Sequence, residues 1–405
     1  MTEVIEADWL NDPILQKLLA TLNQDGGEAR IAGGAVRNTL LNQPVADIDV
    51  ATTLVPRDVI LRLKEAGFKP VPTGIAHGTV TAVFGEQSFE VTTLRSDVAT
   101  DGRHATVVYG TDWKADAQRR DLTMNALYLM ADGRVVDPLG GFSDILSQTV
   151  RFIDDAEKRI QEDYLRILRF FRFFAWYGKF RPDSEGLKAC AKLKSGMENL
   201  SAERIWQELS KLFAAPDPGR AILWMRQTGV LSQLLPQTEK WGVDALPGLM
   251  SAEQRLNWQP DNLLRLMAIL PPDASKLASF AKRLKLPNTV RDRLISWAGG
   301  ALPDAGLKEP QFQQWLYWQD KKASEDRIRL AIAANGDDAK KYQRQLKWLA
   351  RWQKPSLPVR GDDLVKLGMS PGPKIAQSLK FLEELWVESG FKLSREALLD
   401  KRPDP

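Results

Sequence analysis

The hydrophobic pattern of this chain changes period near residue 151, and that change limits the possible folds more than any single motif. Upstream, a short helix over 13–22 starts behind Asp12 and Pro13, and brief alternating segments follow: ARIAG, ADIDVAT, GTVTAVFG, SFEVTTLR and the pair ALYLM and RVVDP. Alternation of period two is strand patterning, interrupted by a helix-like run from Arg57 to Ala66 behind Pro56. The stretch from Ser96 to Tyr109, rich in Asp, Gly, Thr and Arg, reads as a long loop that is functional or mobile. Downstream the strand signal ends and amphipathic helical patterns take over, in EDYLRILRFFRFFAWYG, SAERIWQELSKLFAA and GRAILWMRQTGVLSQLL. An α+β part over 1–150 is therefore expected, followed by an all-α remainder. Breaks at Pro216 to Pro218, Pro236, Gly299 to Pro303 and Pro355 to Pro358 divide that remainder into segments over 151–215, 216–300 and 301–405.

A chain of 405 residues has ample material for several buried cores. The 13 tryptophans fall mostly in the helical half, where core packing accounts for most of them and stacking on nucleic acid for a minority. A net charge of +4 suits a polyanionic partner without requiring one. The single cysteine, Cys190, excludes an intrachain disulfide and disfavours a thiolate zinc site. Histidine is limited to His77 and His104, so no histidine-rich centre, including that of a fused metal phosphohydrolase domain, can be built after residue 104. A metal has to be held by carboxylates. The N-terminal stretch MTEVIEADWLNDP has no apolar signal core, and no apolar run approaches the ~20 residues of a membrane span, which points to a cytoplasmic protein.

Asp47 and Asp49 alternate in DIDVAT, so on an extended segment they share a face and can hold a hard divalent cation through oxygen. Shortly upstream, Gly33 and Gly34 open a helix-like run that reaches Arg37. Glycine lets backbone approach a phosphate, and the amides of a helix start face it. Either half alone fits a solvated strand edge or an ordinary turn; their order and closeness suggest metal-dependent nucleotidyl transfer. Glu90, in SFEVTTLR, adds a third carboxylate if its strand neighbours that of Asp47 and Asp49, enough to seat two ions, and equally fits a surface residue paired with an arginine. In RRDLTMNA, Asp121 has the side chain of an N-cap, Asn125 returns to the same side of a helical turn, and Arg119 and Arg120 suit a triphosphate. A capped turn with solvated arginines fits those residues too. Asp163, Arg166, Arg169 and Arg172 recur every three residues of one helical run, away from Leu165, Leu168 and Phe171. Asp163 beside Arg166 offers a carboxylate acceptor next to a guanidinium donor. Cytosine and adenine each present an amino donor next to a ring-nitrogen acceptor, which matches that pair, whereas uracil and guanine present the reverse.

In order, GGAVRN, DIDVAT, FEVTTLR, RRDLTMNA, EDYLRILRFFRF and SAERIWQEL resemble the motifs of the class II tRNA nucleotidyltransferases, the bacterial CCA-adding enzymes, which share their head with bacterial poly(A) polymerases. These motifs span the first half of the chain. The resemblance implies a nucleotidyltransferase head with a small five-stranded mixed sheet over 1–150, a base-reading helical neck over 151–215, a helical body over 216–300 and a tRNA-binding helical tail over 301–405. It further implies Mg2+ on Asp47 and Asp49, with Glu90 as the third candidate catalytic carboxylate. Nucleotide contacts are expected from Gly33, Gly34, Arg37, Arg120, Asp121 and Asn125, and base selection from Asp163 and Arg166 with Arg169 and Arg172 in support. Two departures stand out: Asn38 occupies a position where the family usually has aspartate, and Leu122 replaces a more frequent phenylalanine. Both are expected to be tolerated. Lys374, in LGMSPGPK before a helix, can meet RNA phosphate or simply lie in an inter-helix turn.

The expected reaction is template-independent addition of C, C and A to the tRNA 3′ end from CTP and ATP, with release of pyrophosphate by two-metal-ion catalysis. Against a poly(A) polymerase stands the lack of a basic insertion in GIAHGTVTAVFGEQSFE; against a CC-only enzyme, the retained stretch from Ser96 to Tyr109. A-only addition stays open. A non-catalytic tRNA-binding protein has no need for the whole acidic and arginine set.

Overall fold

The computed structural model describes residues 3–101, 104–239, 241 and 243–403. Contacts divide the chain into two units, Met1–Pro236 and Gln237–Pro405.

The first unit opens with α1 (Pro13–Leu22), whose first turn is closed by Asp12: its Oδ1 accepts from the Ile14 and Leu15 amides at 2.8 and 2.9 Å. Leu15, Leu18, Leu19 and Leu22 are fully buried along one stripe. There follow β1 (Ala29–Ala32), α2 (Gly34–Leu40), β2 (Asp49–Thr52), α3 (Pro56–Glu65), β3 (Lys69–Gly74), β4 (Thr79–Phe84) and β5 (Gln87–Thr93). Next come β6 (Arg95–Asp101), β7 (His104–Tyr109), α4 (Trp113–Gln118), β8 (Tyr128–Leu129), β9 (Val135–Val136) and α5 (Gly141–Leu146). The main sheet has the order β3-β4-β5-β2-β1-β8-β9. Only the β2–β5 pair is parallel among its described pairings, so the sheet is mixed as expected.

It has seven strands among the described residues, where five were expected. β3 carries Pro70 and Pro72, residues that cannot donate to a ladder, and it survives as a strand because it lies at the sheet edge. On the opposite flank the two-residue strands β8 and β9 extend the sheet beyond β1. The stretch from Ser96 to Tyr109 also departs from the loop expected there. β6 and β7 pair as a two-stranded antiparallel ribbon, from Arg95 opposite Tyr109 to Asp101 opposite His104, while Gly102 and Arg103 lie outside the described residues. Its polar composition hid a β-branched alternation that suffices for a ribbon.

Helices alone follow: α6 (Ala156–Glu162), α7 (Leu165–Tyr177), α8 (Ser184–Leu193), α9 (Ala202–Phe213), α10 (Pro218–Gln227) and α11 (Val230–Leu234). The pattern read as one helix through EDYLRILRFFRFFAWYG breaks at Asp163, whose backbone is extended at φ −156° and ψ 106°. Its Oδ1 accepts from the Leu165 amide at 3.1 Å, so a carboxylate that competes for backbone donors ends one helix and helps start the next. α7 buries Ile167, Leu168, Phe170, Phe171 and Phe174 and packs against α9 and α10. Truncating any of these phenylalanines to alanine costs about 3–5 kcal/mol. Cys190 is fully buried on α8, and burial pushes its thiol pKa up, as fits an inert packing residue.

The second unit is helical throughout its described residues, from Ala245–Arg255 to Arg395–Leu399. One of its apolar clusters joins Phe312, Leu316, Ile328, Ile332 and Leu349; another joins Tyr317, Leu364, Leu382, Trp386 and Leu398. No helix among the described residues is long and apolar enough to cross a membrane.

Candidate active site

In the parallel β2–β5 pair, Asp49 stands directly opposite Glu90. Neighbours in register on adjacent strands project from the same face, so two distant segments bring their carboxylates together. Asp47 lies two residues before Asp49, and all three acids line one cleft of about 610 Å³. None of the three forms a side-chain hydrogen bond or ion pair with another described residue. The cleft wall strips water from Asp49 although its side chain stays open on one side; this desolvation raises its pKa, the Glu90 and Asp47 charges raise it further, and Arg120 pulls it back. Oxygen donors that repel one another fit a hard divalent cation, which would relieve that repulsion. Among the described residues no three acidic, histidine or cysteine side chains yet close on a common point.

A second cavity, of about 460 Å³, is lined by Gly33, Gly34, Arg37, Arg120, Asp121, Asn125, Asp163, Arg166 and Arg169, together with Phe173 and Arg204. Thus nine of the residues singled out from sequence converge on one space. Gly33 has φ +56°, and a Cβ there would come within 3.1 Å of the Asn125 carbonyl oxygen and 3.2 Å of Arg120 Nη1. Glycine is required by both conformation and space.

Arg37, on α2, is 7% exposed. Its guanidinium donates to Asn38 Oδ1 from Nε at 3.2 Å and Nη2 at 2.9 Å, to the Tyr177 hydroxyl at 2.9 Å and to Asn125 Oδ1. It also lies 4.2 Å from the Tyr177 ring centroid. Every one of these partners is neutral. Burial lowers the Arg37 pKa, yet a guanidinium remains charged, so its cation is left for an anionic ligand. Asn38 explains its own departure from the family: Oδ1 receives Arg37 while Nδ2 donates to the Pro44 carbonyl at 2.8 Å, a bond an aspartate could not make.

The other arginines are braced by carboxylates. Asp116, 1% exposed, accepts from Arg119 Nε at 2.7 Å, Arg120 Nη2 at 3.1 Å and the Tyr128 hydroxyl at 2.7 Å. Burial acts to raise its pKa, and the two guanidiniums outweigh that and hold it low. Arg119 turns to Asp116 and does not line the cavity, so only Arg120 of the two reaches it. Asp121 is not the N-cap expected: the turn Thr123–Asn125 is a 3-10 helix whose cap position is Leu122, without a side-chain cap bond. Asp121 Oδ1 instead accepts from Asn125 Nδ2 at 3.0 Å, and Oδ2 accepts from Arg169 Nε at 2.6 Å. Burial would raise the Asp121 pKa; Arg169 prevails and lowers it.

Asp163 and Arg166 both line the cavity but do not pair with each other. Arg166 Nη1 donates to Glu162 at 2.6 Å, and Arg204 Nη2 on α9 donates to Asp163 Oδ2 at 2.6 Å. Arg172 points elsewhere: its Nε donates to Glu208 on α9 at 2.5 Å, and it is not among the lining residues. Sequence reasoning passed over Asp116, Arg204 and Glu208. The last two sit four apart on α9, a polar pair on a strongly amphipathic helix, which was the available signal. Lys374 is exposed at the second position of the helix Pro373–Glu388, in the other unit.

The sequence matches two family models, one described as the poly A polymerase head domain over residues 29–151 and one as a probable RNA and SrmB-binding site of polymerase A over residues 179–241. The mouse mitochondrial CCA tRNA nucleotidyltransferase 1 is 35% identical over 395 residues, covering 95% of this chain and 88% of the relative. A CCA-adding enzyme of Geobacillus stearothermophilus is 30% identical over 402 residues, 94% of each chain. Among solved structures, the Bacillus stearothermophilus CCA-adding enzyme in complex with CTP superposes with a TM-score of 0.74 at 26% identity, over 92% of both chains. The likeness therefore extends well past the first half in which the motifs lie.

Proposed function

We propose, for a chain that belongs to the CCA-adding tRNA nucleotidyltransferase family, that it adds C, C and A to the 3′ end of tRNA from CTP and ATP and releases pyrophosphate. The observation that carries this reading is the pairing of two unlike spaces: Arg120 lines the arginine cavity and its charge also acts on Asp49 of the carboxylate cleft. A nucleoside triphosphate belongs in the arginine cavity, where the backbone at Gly33 and Gly34, Arg37 and Arg120 receive phosphate oxygens. Asp163 accepts from the exocyclic amino group of cytosine or adenine while Arg166 donates to the adjacent ring nitrogen; uracil and guanine mismatch both. Arg204 fixes the Asp163 carboxylate for that task, and Asp121 holds Arg169 behind it.

The 3′-hydroxyl of the acceptor, placed at Asp47, Asp49 and Glu90, attacks the α-phosphorus in line with the departing pyrophosphate. Catalysis rests on position and preorganised charge, with no covalent intermediate. Divalent cations, Mg2+ in this reading, would be held by Asp47 and Asp49 and would supply neutralisation of the carboxylates and of the developing oxyanions. In the domain division that accompanies this reading, 1–150 carries the chemistry, 151–215 reads the base, 216–300 is the helical body, and 301–405 takes the tRNA, Lys374 among the phosphate contacts.

One assay tests the whole: tRNAs ending before CCA, after C and after CC, and an unrelated RNA, each with single nucleotides. Stepwise incorporation of C, C and A on the tRNAs alone is expected; tailing of the unrelated RNA with A overturns the reading.

A further inference from the structure

We propose that the indole of Trp9 is the wall on which the terminal base of the acceptor strand stacks while its 3′-hydroxyl sits among the carboxylates; the inference rests on the nucleotidyl-transfer reading above. The two cavities have opposite linings. Among the described residues, the cleft of Asp47, Asp49 and Glu90 contains no lysine or arginine; its remaining lining is a fourth acid, Asp12, already bonded to Gln87 and to the first turn of α1, together with Trp9, Phe89 and neutral side chains such as Thr81 and Ser88. A triphosphate is drawn to the arginine cavity instead, so this cleft is left to the second substrate.

Trp9 is half-buried and held in place. It lies on the 3-10 turn Asp8–Asn11, whose Leu10 is 5% exposed, and its Nε1–H donates to Thr39 Oγ1 on α2 at 3.1 Å. Gln87 Nε2 donates to Asp12 Oδ2 at 3.0 Å, tying the chain just after Trp9 to β5, the strand of Glu90. A neutral aromatic side chain, tied down at its indole nitrogen, therefore lines a space bounded by acids. Of the parts of a polynucleotide end, the base is the one that is flat and uncharged.

Stacking also suits the reaction. The end of the acceptor changes with each addition, so whatever holds it has to accept different bases in turn. Every base has a π-face, and stacking on an aromatic side chain is correspondingly tolerant of sequence, whereas hydrogen-bond recognition is not. The arginine cavity discriminates between incoming bases; Trp9 holds the outgoing end without discriminating.

The test uses the full-length enzyme and a tRNA that ends before CCA, with 2-aminopurine as its last base. Binding to the wild type is expected to quench the 2-aminopurine fluorescence; Trp9→Ala is expected to raise the acceptor KM roughly tenfold and to relieve that quenching, with the CTP KM unchanged, and Trp9→Phe to recover most of both. Equal rises in both KM values, or no change in acceptor KM and quenching for Trp9→Ala, overturns the inference while leaving the reaction standing if the wild type incorporates CMP. A wild type that neither binds the acceptor nor incorporates CMP overturns the reaction and the inference together.

Discussion

In the arginine cavity, most guanidiniums meet a carboxylate behind them: Arg120 at Asp116, Arg169 at Asp121, Arg166 at Glu162 and, across the cavity, Arg204 at Asp163. In the neighbouring cleft, Asp47, Asp49 and Glu90 form no ion pair with a described residue, and Asp49 is pushed up in pKa by desolvation first and by the Glu90 and Asp47 charges second, against the pull of Arg120. One region is braced, with Arg37 alone lacking a carboxylate among its described hydrogen-bond partners, and can hold its shape while empty. The other keeps its repulsion until something positive arrives. Fixed donors that need no rearrangement are what a discriminating, charge-stabilising site requires, whereas uncompensated acids lower stability in exchange for function.

The largest effect expected from breaking this contrast is in the cleft. Asp47→Ala or Asp49→Ala should lower nucleotide incorporation about a thousandfold or more while the thermal unfolding midpoint stays near the wild type; a full rate in either variant refutes the catalytic assignment. On the braced side the penalty falls on stability. Asp116→Ala leaves two guanidiniums and the Tyr128 hydroxyl without their common acceptor, and denaturant titration should show a loss of about 3–5 kcal/mol. A loss of less than 1 kcal/mol would show that Asp116 does not brace them. Asp163→Ala and Arg166→Ala should relax the preference for CTP and ATP over UTP and GTP by about 10–100-fold, measured as ratios of kcat/KM; unchanged ratios refute base reading by this pair.

Two smaller effects sharpen the comparison. Because Asp49 has a raised pKa in the folded state, its ionised form opposes folding above that pKa, and proton uptake relieves the penalty as pH falls through it. Asp49→Asn should therefore raise the melting temperature slightly at neutral pH, and the gain should fade as pH falls toward the ordinary carboxylate range. A gain that grows on acidification contradicts the crowding. Asn38→Asp gives Arg37 a counter-charge but loses the bond to the Pro44 carbonyl, opposing changes that should leave the CTP KM within about threefold of wild type.

How far the sequence discloses the site depends on the range of the interaction. The turn at Gly33 and the switch from strand to helical patterning are local, and the structure has both; of the alternating pair only Asp49 lies on β2, with Asp47 two residues ahead of it at the same cleft. Glu90 needed one further fact, that β5 lies beside β2 in parallel register, which alternation suggests but cannot prove. The arginine stripe shows the limit more sharply. Its three-residue spacing correctly puts Arg166 and Arg169 at one cavity, yet it gave no sign that the helix breaks at Asp163 or that Arg172 turns to Glu208.

The sequence by itself determined the division into an α+β head and a helical remainder, and singled out nine of the residues that line the arginine cavity, because periodicity and local turns are set by covalent spacing. Tertiary structure alone decided the partners. Arg169 meets Asp121 across 48 residues and Arg204 meets Asp163 across 41, and such pairs form only where packing of separate elements brings opposite charges within hydrogen-bond reach. That same packing left Asp47, Asp49 and Glu90 without partners among the described residues, and so made one cavity of the first unit a braced, arginine-lined site for an anion and the other an acidic cleft that only an added cation completes.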